Sequence, residues 1–177
     1  MQTSIPLLIV TGPVGVGKTT VAWMVSELLE QANVAHACID IDALRWHYPR
    51  PLDDPFSTRL AMKNLAAIWA NFQEYGATHL VVADVIEEPE DLNRYRATIP
   101  SAEIFVVRLR ASLETLAQRI RQREIGDGLE WHLARAPVLV EIMERNKLEN
   151  LLVETDSKPI KQIAEEILAA WLPRVIY

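Results

Sequence analysis

Residues 7 to 20, LLIVTGPVGVGKTT, decide how the rest of the chain is read. The apolar run Leu7 to Val10 leads into Gly12-Pro13-Val14-Gly15-Val16-Gly17-Lys18-Thr19, which satisfies G-x-x-x-x-G-K-[ST] at every fixed position. Glycines at 12, 15 and 17 permit the tight turning that aims successive backbone N–H groups inward at a polyphosphate. A helix opening at about Lys18 adds the positive end of its dipole to the same point. Lys18 can then meet the β- and γ-phosphates as a point charge, and the Thr19 hydroxyl offers Mg²⁺ one ligand. The alternative is a glycine-rich turn between a strand and a helix. The apolar strand before it and the amphipathic run after it (Val21, Val25, Leu28, Leu29) are the context that phosphate binding needs, so residues 12–19 and Thr20 are the expected nucleotide contacts.

Composition narrows what such a loop can serve. A chain of 177 residues, half of them apolar and a quarter charged, has the size and make-up of one soluble domain with its own core. The net charge of −6 supplies no basic field for nucleic acid, so an anionic ligand must be held by local groups, and a small molecule is expected. Cys38 is the single cysteine and lies in an expected strand, where it reads as a small buried apolar residue. The N-terminus shows no signal-peptide pattern and no apolar run reaches membrane-spanning length, so a cytoplasmic protein without a membrane partner is expected.

Outward from the loop, strands are expected at residues 5–10, 34–39, 79–83, 104–109 and from 151, the last three entirely apolar or nearly so. Helices are expected at 18–31, 57–75, 89–96, 112–124 and 159–171, with a further stretch after the polar break 125–128 that Pro137 should bend or restart. Leu60, Leu65, Ile68, Trp69 and Phe72 should face inward from the second helix, and Leu113, Leu116, Ala117 and Ile120 from the fourth. The proline-rich stretch 49–55 interrupts regular structure. Alternation of apolar strands with amphipathic helices implies an α/β fold with a five-stranded parallel sheet covered on both faces, and no linker or repeat divides it. One domain over residues 1–177 is expected.

Ligands of such sheets bind beyond the carboxyl ends of the strands. Asp40 and Asp42 follow the second strand in alternate positions and can face the loop together, one serving the water shell of Mg²⁺ and the other accepting a proton from an attacking hydroxyl. Asp42 can instead cap a helix beginning at Ala43. Asp84 ends the strand LVVAD in the manner of a Walker B carboxylate, where a metal or substrate role competes with simple turn formation. Arg119 and Arg123 share a helix face ahead of the break and can close over a triphosphate, or else form a solvated face paired with Glu114 or Glu124. Arg135 beyond the break is a further candidate. The histidines have no ligand spacing for zinc. Trp69 and Trp171 read as core, while Trp46, His47 and Tyr48 follow the acidic pair and can line an acceptor pocket.

On these residues the chain resembles the P-loop kinases of the nucleoside and nucleotide kinase group. The phosphate loop, Asp40-x-Asp42-x-x-Arg45, the Arg119-x-x-x-Arg123 lid and the last strand into Thr155-Asp156 fall in the same order over nearly the whole length. Asp40 to Arg45 resembles the D-G-D-N-[VL]-R stretch of adenylylsulfate kinases, with Ile41 and Ala43 in place of its glycine and asparagine. The acidic pair also resembles the D-x-D of shikimate kinases, and residues 123–135 resemble the lid of chloramphenicol phosphotransferase. The resemblance implies a P-loop NTPase fold with strand order 2-3-1-4-5 and a lid at about 121–135. It also implies an ATP- and Mg²⁺-dependent phosphotransferase acting on a small-molecule hydroxyl, as monomer or homodimer. The implied roles are Lys18, Asp42, Arg119 and Arg123 in transfer and Arg119 beside the nucleotide. Asp42, Arg45, Asp84 and Arg135 would contact the acceptor, and Thr19, Asp40 and Asp84 the metal. An ATP-binding switch or ATPase without an acceptor is the alternative.

Overall fold

The computed structural model describes residues 4–172; the few residues outside that range, which the one-domain expectation includes, lie outside the described residues. The strands are β1 (Ile5–Thr11), β2 (His36–Asp40), β3 (His79–Ala83), β4 (Ala102–Arg110) and β5 (Leu151–Glu154). The helices are α1 (Lys18–Gln31), α2 (Thr58–Glu74), α3 (Pro89–Thr98), α4 (Leu113–Arg123), α5 (Asp127–Asn146) and α6 (Ile160–Trp171), and a 3-10 turn, Ile41–Leu44, follows β2. All strand pairs are parallel, in the expected order β2-β3-β1-β4-β5.

The continuous apolar strands are explained by burial from two sides. Leu8 and Val10 of β1 point into a core built with α1, α4 and α6, whereas Leu7 and Ile9 point into a second core with α2 and α3. Trp171 closes the first and Trp69 the second, as expected of both. Local signals fix the helix starts. Glu88 and Asp91 form a reciprocal capping box around Pro89 at the head of α3, and Ser112 accepts a hydrogen bond from Thr115 N at the head of α4.

The structure corrects several boundaries. β2 begins at His36 because α1 ends through Asn33 in the left-handed region (φ 57°), with Val34 N–H donating to Leu29 O, so residues 34–35 complete a helix exit. β4 starts earlier than expected, since Ile5 pairs with Ala102. α5 neither restarts nor breaks at Pro137; the helix runs through it with the proline on the exposed side, and the break before it shrinks to 124–126. Phe72 (40% exposed) and Leu113 (53%) are not inward. α2 and α4 meet the sheet along the rows Ala61–Leu65–Trp69 and Leu116–Ile120, and Phe72 and Leu113 each stand three positions off the end of a row spaced by four.

Candidate active site

β1 lies between β3 and β4, so the chain leaves the sheet centre at Gly12 with helices diverging to either face, the switch point where α/β sheets bind ligands. The loop that follows is packed from below. A Cβ on Gly12 would stand 2.6 Å from Leu109 O, and one on Gly15 would stand 2.8 Å from Ile120 Cγ1, so both glycines are required by close approach of β4 and α4. α1 opens at Gly17 in the left-handed region (φ 98°) without a capping side chain. Its first amides therefore point out of the helix end with no side-chain acceptor, the arrangement that receives an anion. Lys18 Nζ arches back over the loop to donate to Gly12 O (3.1 Å) and Pro13 O (3.3 Å). Burial lowers its pKa, and the carboxylates of Asp42, Asp84 and Asp40 oppose that shift, so the acidic residues and the loop lysine share one electrostatic neighbourhood.

The acidic pair divides into two roles. Asp40 Oδ2 accepts the Thr19 hydroxyl at 2.7 Å, and its Oδ1 accepts Asp42 N at 2.9 Å. The capping role considered for Asp42 thus belongs to Asp40, which starts the 3-10 turn. Asp42, with its side chain 69% exposed, has Arg45 Nε at 3.5 Å. Asp84 is buried with both oxygens engaged: Oδ1 accepts from Arg45 Nη2 (3.0 Å) and Val85 N (2.8 Å), and Oδ2 from Tyr95 Oη (2.8 Å). Burial raises its pKa to about 6 despite the pull of Arg45 and Tyr95. Asp84 therefore acts on Arg45, holding the guanidinium beside Asp42. Thr19 with Asp40 is an oxygen pair that fits a hydrated Mg²⁺. Among the described residues no cluster of His, Cys, Asp and Glu could hold a metal unaided, so phosphate oxygens and water would complete the shell.

Arg119 and Arg123, expected over the nucleotide, and Arg135, expected at the acceptor, differ in place. Arg119 reaches Val16 O and Thr155 Oγ1 (both 3.2 Å), tying α4 to the phosphate loop and to the end of β5. Arg123 is exposed, pairs with its neighbour Glu124, and is near enough to Lys18 to depress its pKa. Arg135 turns to the other side, where its Nη2 lies 2.5 and 2.6 Å from the two oxygens of Glu87. Asn146 Nδ2 adds a bond to Glu87 O at 2.7 Å, so α5 is latched to the turn after β3. Tyr95 and Asn146 were not singled out from sequence. Tyr95 had only its place in a short helix as a signal, and the latch joins residues far apart in the chain.

The sequence model described as "AAA domain" (AAA_18) matches residues 8–155. The chain belongs to this family. No curated protein matches it. Among solved structures it is similar to a gluconokinase from Sinorhizobium meliloti 1021, at 20% identity and TM-score 0.63, covering 97% of this chain and 94% of that one. It is similar to shikimate kinase from Acinetobacter baumannii in complex with shikimate, at 17% identity and TM-score 0.59 with 99% and 97% covered. It is also similar to Mycobacterium tuberculosis APS kinase in complex with AMPPNP and APS, at 22% identity and TM-score 0.60 with 94% and 96% covered. The structural neighbours are thus small-molecule kinases, and at these identities the likeness establishes the fold. No helix among the described residues is long and apolar enough to cross a membrane.

Proposed function

We propose that the protein is a kinase that uses Mg·ATP to phosphorylate the hydroxyl of a small molecule. The observation that carries the proposal is the 2.7 Å hydrogen bond from Thr19 Oγ1 to Asp40 Oδ2, because it brings the end of β2, and with it Asp42, to the phosphate loop. The amides of residues 12–19 and Lys18 hold the polyphosphate and receive charge as the terminal phosphoryl group departs. Thr19 and Asp40 hold Mg²⁺, which when bound neutralises the phosphate oxygens. Asp42 orients the acceptor hydroxyl and accepts its proton. The acceptor oxygen forms the new bond to phosphorus as the bond from phosphorus to the departing ADP oxygen breaks. Arg119 braces the loop, and Arg123 closes from the exposed side. Arg45, Asp84 and Arg135 border the acceptor, and the protein works in the cytoplasm without nucleic acid or membrane partners.

Asp42→Asn tests this directly. Phosphoryl transfer should fall by about 10²-fold or more, the usual worth of a positioned base, while ATP affinity stays within a few-fold. ATP turnover unchanged by the substitution would point to an ATPase or switch in which Asp42 is structural.

A further inference from the structure

The kinase proposal leaves its acceptor open, and the charge around Asp42 narrows it. Both arginines that border the acceptor side are already neutralised: Arg45 lies between Asp84 (3.0 Å) and Asp42 (3.5 Å), and Arg135 is bound to both oxygens of Glu87. Arg145 and Arg94 are paired too, with Glu88 at 3.5 Å and with Asp91, whereas Arg50, in the segment beyond Arg45, stands exposed to water. An acceptor that placed a carboxylate, sulfate or phosphate on Arg45 or Arg135 would have to displace one of these carboxylates and leave it unpaired beside the newcomer's own negative charge.

The adjoining chain offers the opposite chemistry. Asn64 Nδ2 holds Leu44 O at 2.8 Å, and Asp54 accepts Thr58 N (2.8 Å) and Arg59 N (3.0 Å), so residues 46–56 are anchored at both ends. Between the anchors the chain exposes Trp46 (83%), Tyr48 (95%), Leu52 (102%) and Phe56 (55%). Four large apolar side chains left in water, beginning directly after Arg45, have burial to gain from a ligand with an apolar face.

We infer that the acceptor is an uncharged or cationic hydroxyl compound with an apolar face, covered by the segment that carries Trp46, Tyr48, Leu52 and Phe56. This rests on the kinase proposal and specifies the class of its second substrate. Hydroxy acids and their methyl esters, offered in matched pairs together with amino alcohols, test it on the intact protein. Binding is read by calorimetry with Mg·ADP present, and transfer is read as phosphorylated product with Mg·ATP. Esters or amino alcohols should bind about tenfold or more tighter than the corresponding acids, and transfer should be confined to them. Trp46→Ala should raise the acceptor KM by about tenfold with a smaller change in kcat. Glu87→Gln, which frees Arg135, should shift preference toward the acids. An acid that binds or reacts as well as its ester would overturn the inference, as would a panel in which no neutral or cationic member binds. Failure of the kinase proposal reads differently: neutral members bind, yet none is phosphorylated.

Discussion

Asp84 shows how much a single buried acid can govern here. Its carboxylate is satisfied by Arg45, Tyr95 and the Val85 amide, yet burial still raises its pKa from 3.8 to about 6. The folded state thus holds this proton more tightly than the unfolded chain does. The stabilisation it gives is complete below about pH 4 and is lost as pH rises through about 6. Urea unfolding of the wild type across this window should show that decline, and Asp84→Asn should flatten it. Because Arg45 is held by the ionised acid, acceptor phosphorylation should weaken as pH falls below about 6. Gly12 gives a second test at this scale. A Cβ at 2.6 Å from Leu109 O must move the loop or β4, so Gly12→Ala should cost about 1–3 kcal/mol of stability and weaken ATP binding. Cys38, expected to be buried, is only half-buried in β2; burial still raises the thiol to about 12, and its Sγ lies 3.5 Å from Ala22 O. Thiol reagents at neutral pH should therefore modify it more slowly in the folded protein than in the unfolded chain.

At the scale of elements, α4 and α5 frame the proposed nucleotide and acceptor sides. Arg119 joins α4 to Val16 O across 103 residues of sequence, so Arg119→Ala should loosen the loop and weaken ATP affinity with little change in overall fold. Pro137 lacks the N–H that would bond to Leu133 O within α5, and the residue is exposed, so Pro137→Ala should stabilise the protein by about 1–3 kcal/mol in chemical denaturation. Elements such as β1, β3 and α1 were legible in sequence because strands buried on both faces read as unbroken apolar runs and the loop motif marks one junction. The start of β2 was not, because Val34 and Ala35 are as apolar as the strand they precede and only the backbone turn at Asn33 sets them apart. Asp40 and Asp42 were legible as a pair from their place after a strand. Their division of labour was not, because it depends on which carboxylate meets Thr19. The pairings Arg135–Glu87 and Tyr95–Asp84 join different elements and leave no local pattern to find.

For the whole molecule, a net charge of −6 is set against the phosphate site proposed at the centre of the sheet. On the proposed function, selectivity for polyphosphate must come from oriented amides and Lys18, so ligand binding should be felt globally as stability. Mg·ATP at about 100 times its Kd should add about 2.7 kcal/mol to the folded state, which raises the melting temperature of a chain this size by roughly 5–10 °C. The most direct measurement is calorimetric titration of ATP, with and without Mg²⁺, into the wild type, Lys18→Ala and Asp40→Asn. Wild type should bind Mg·ATP more tightly than metal-free ATP, Lys18→Ala should lose most of its affinity, and Asp40→Asn should lose the preference for the metal complex. Equal ATP binding by all three proteins, indifferent to Mg²⁺, would contradict the assignment of residues 12–19 and Asp40 as the seat of the phosphate chain.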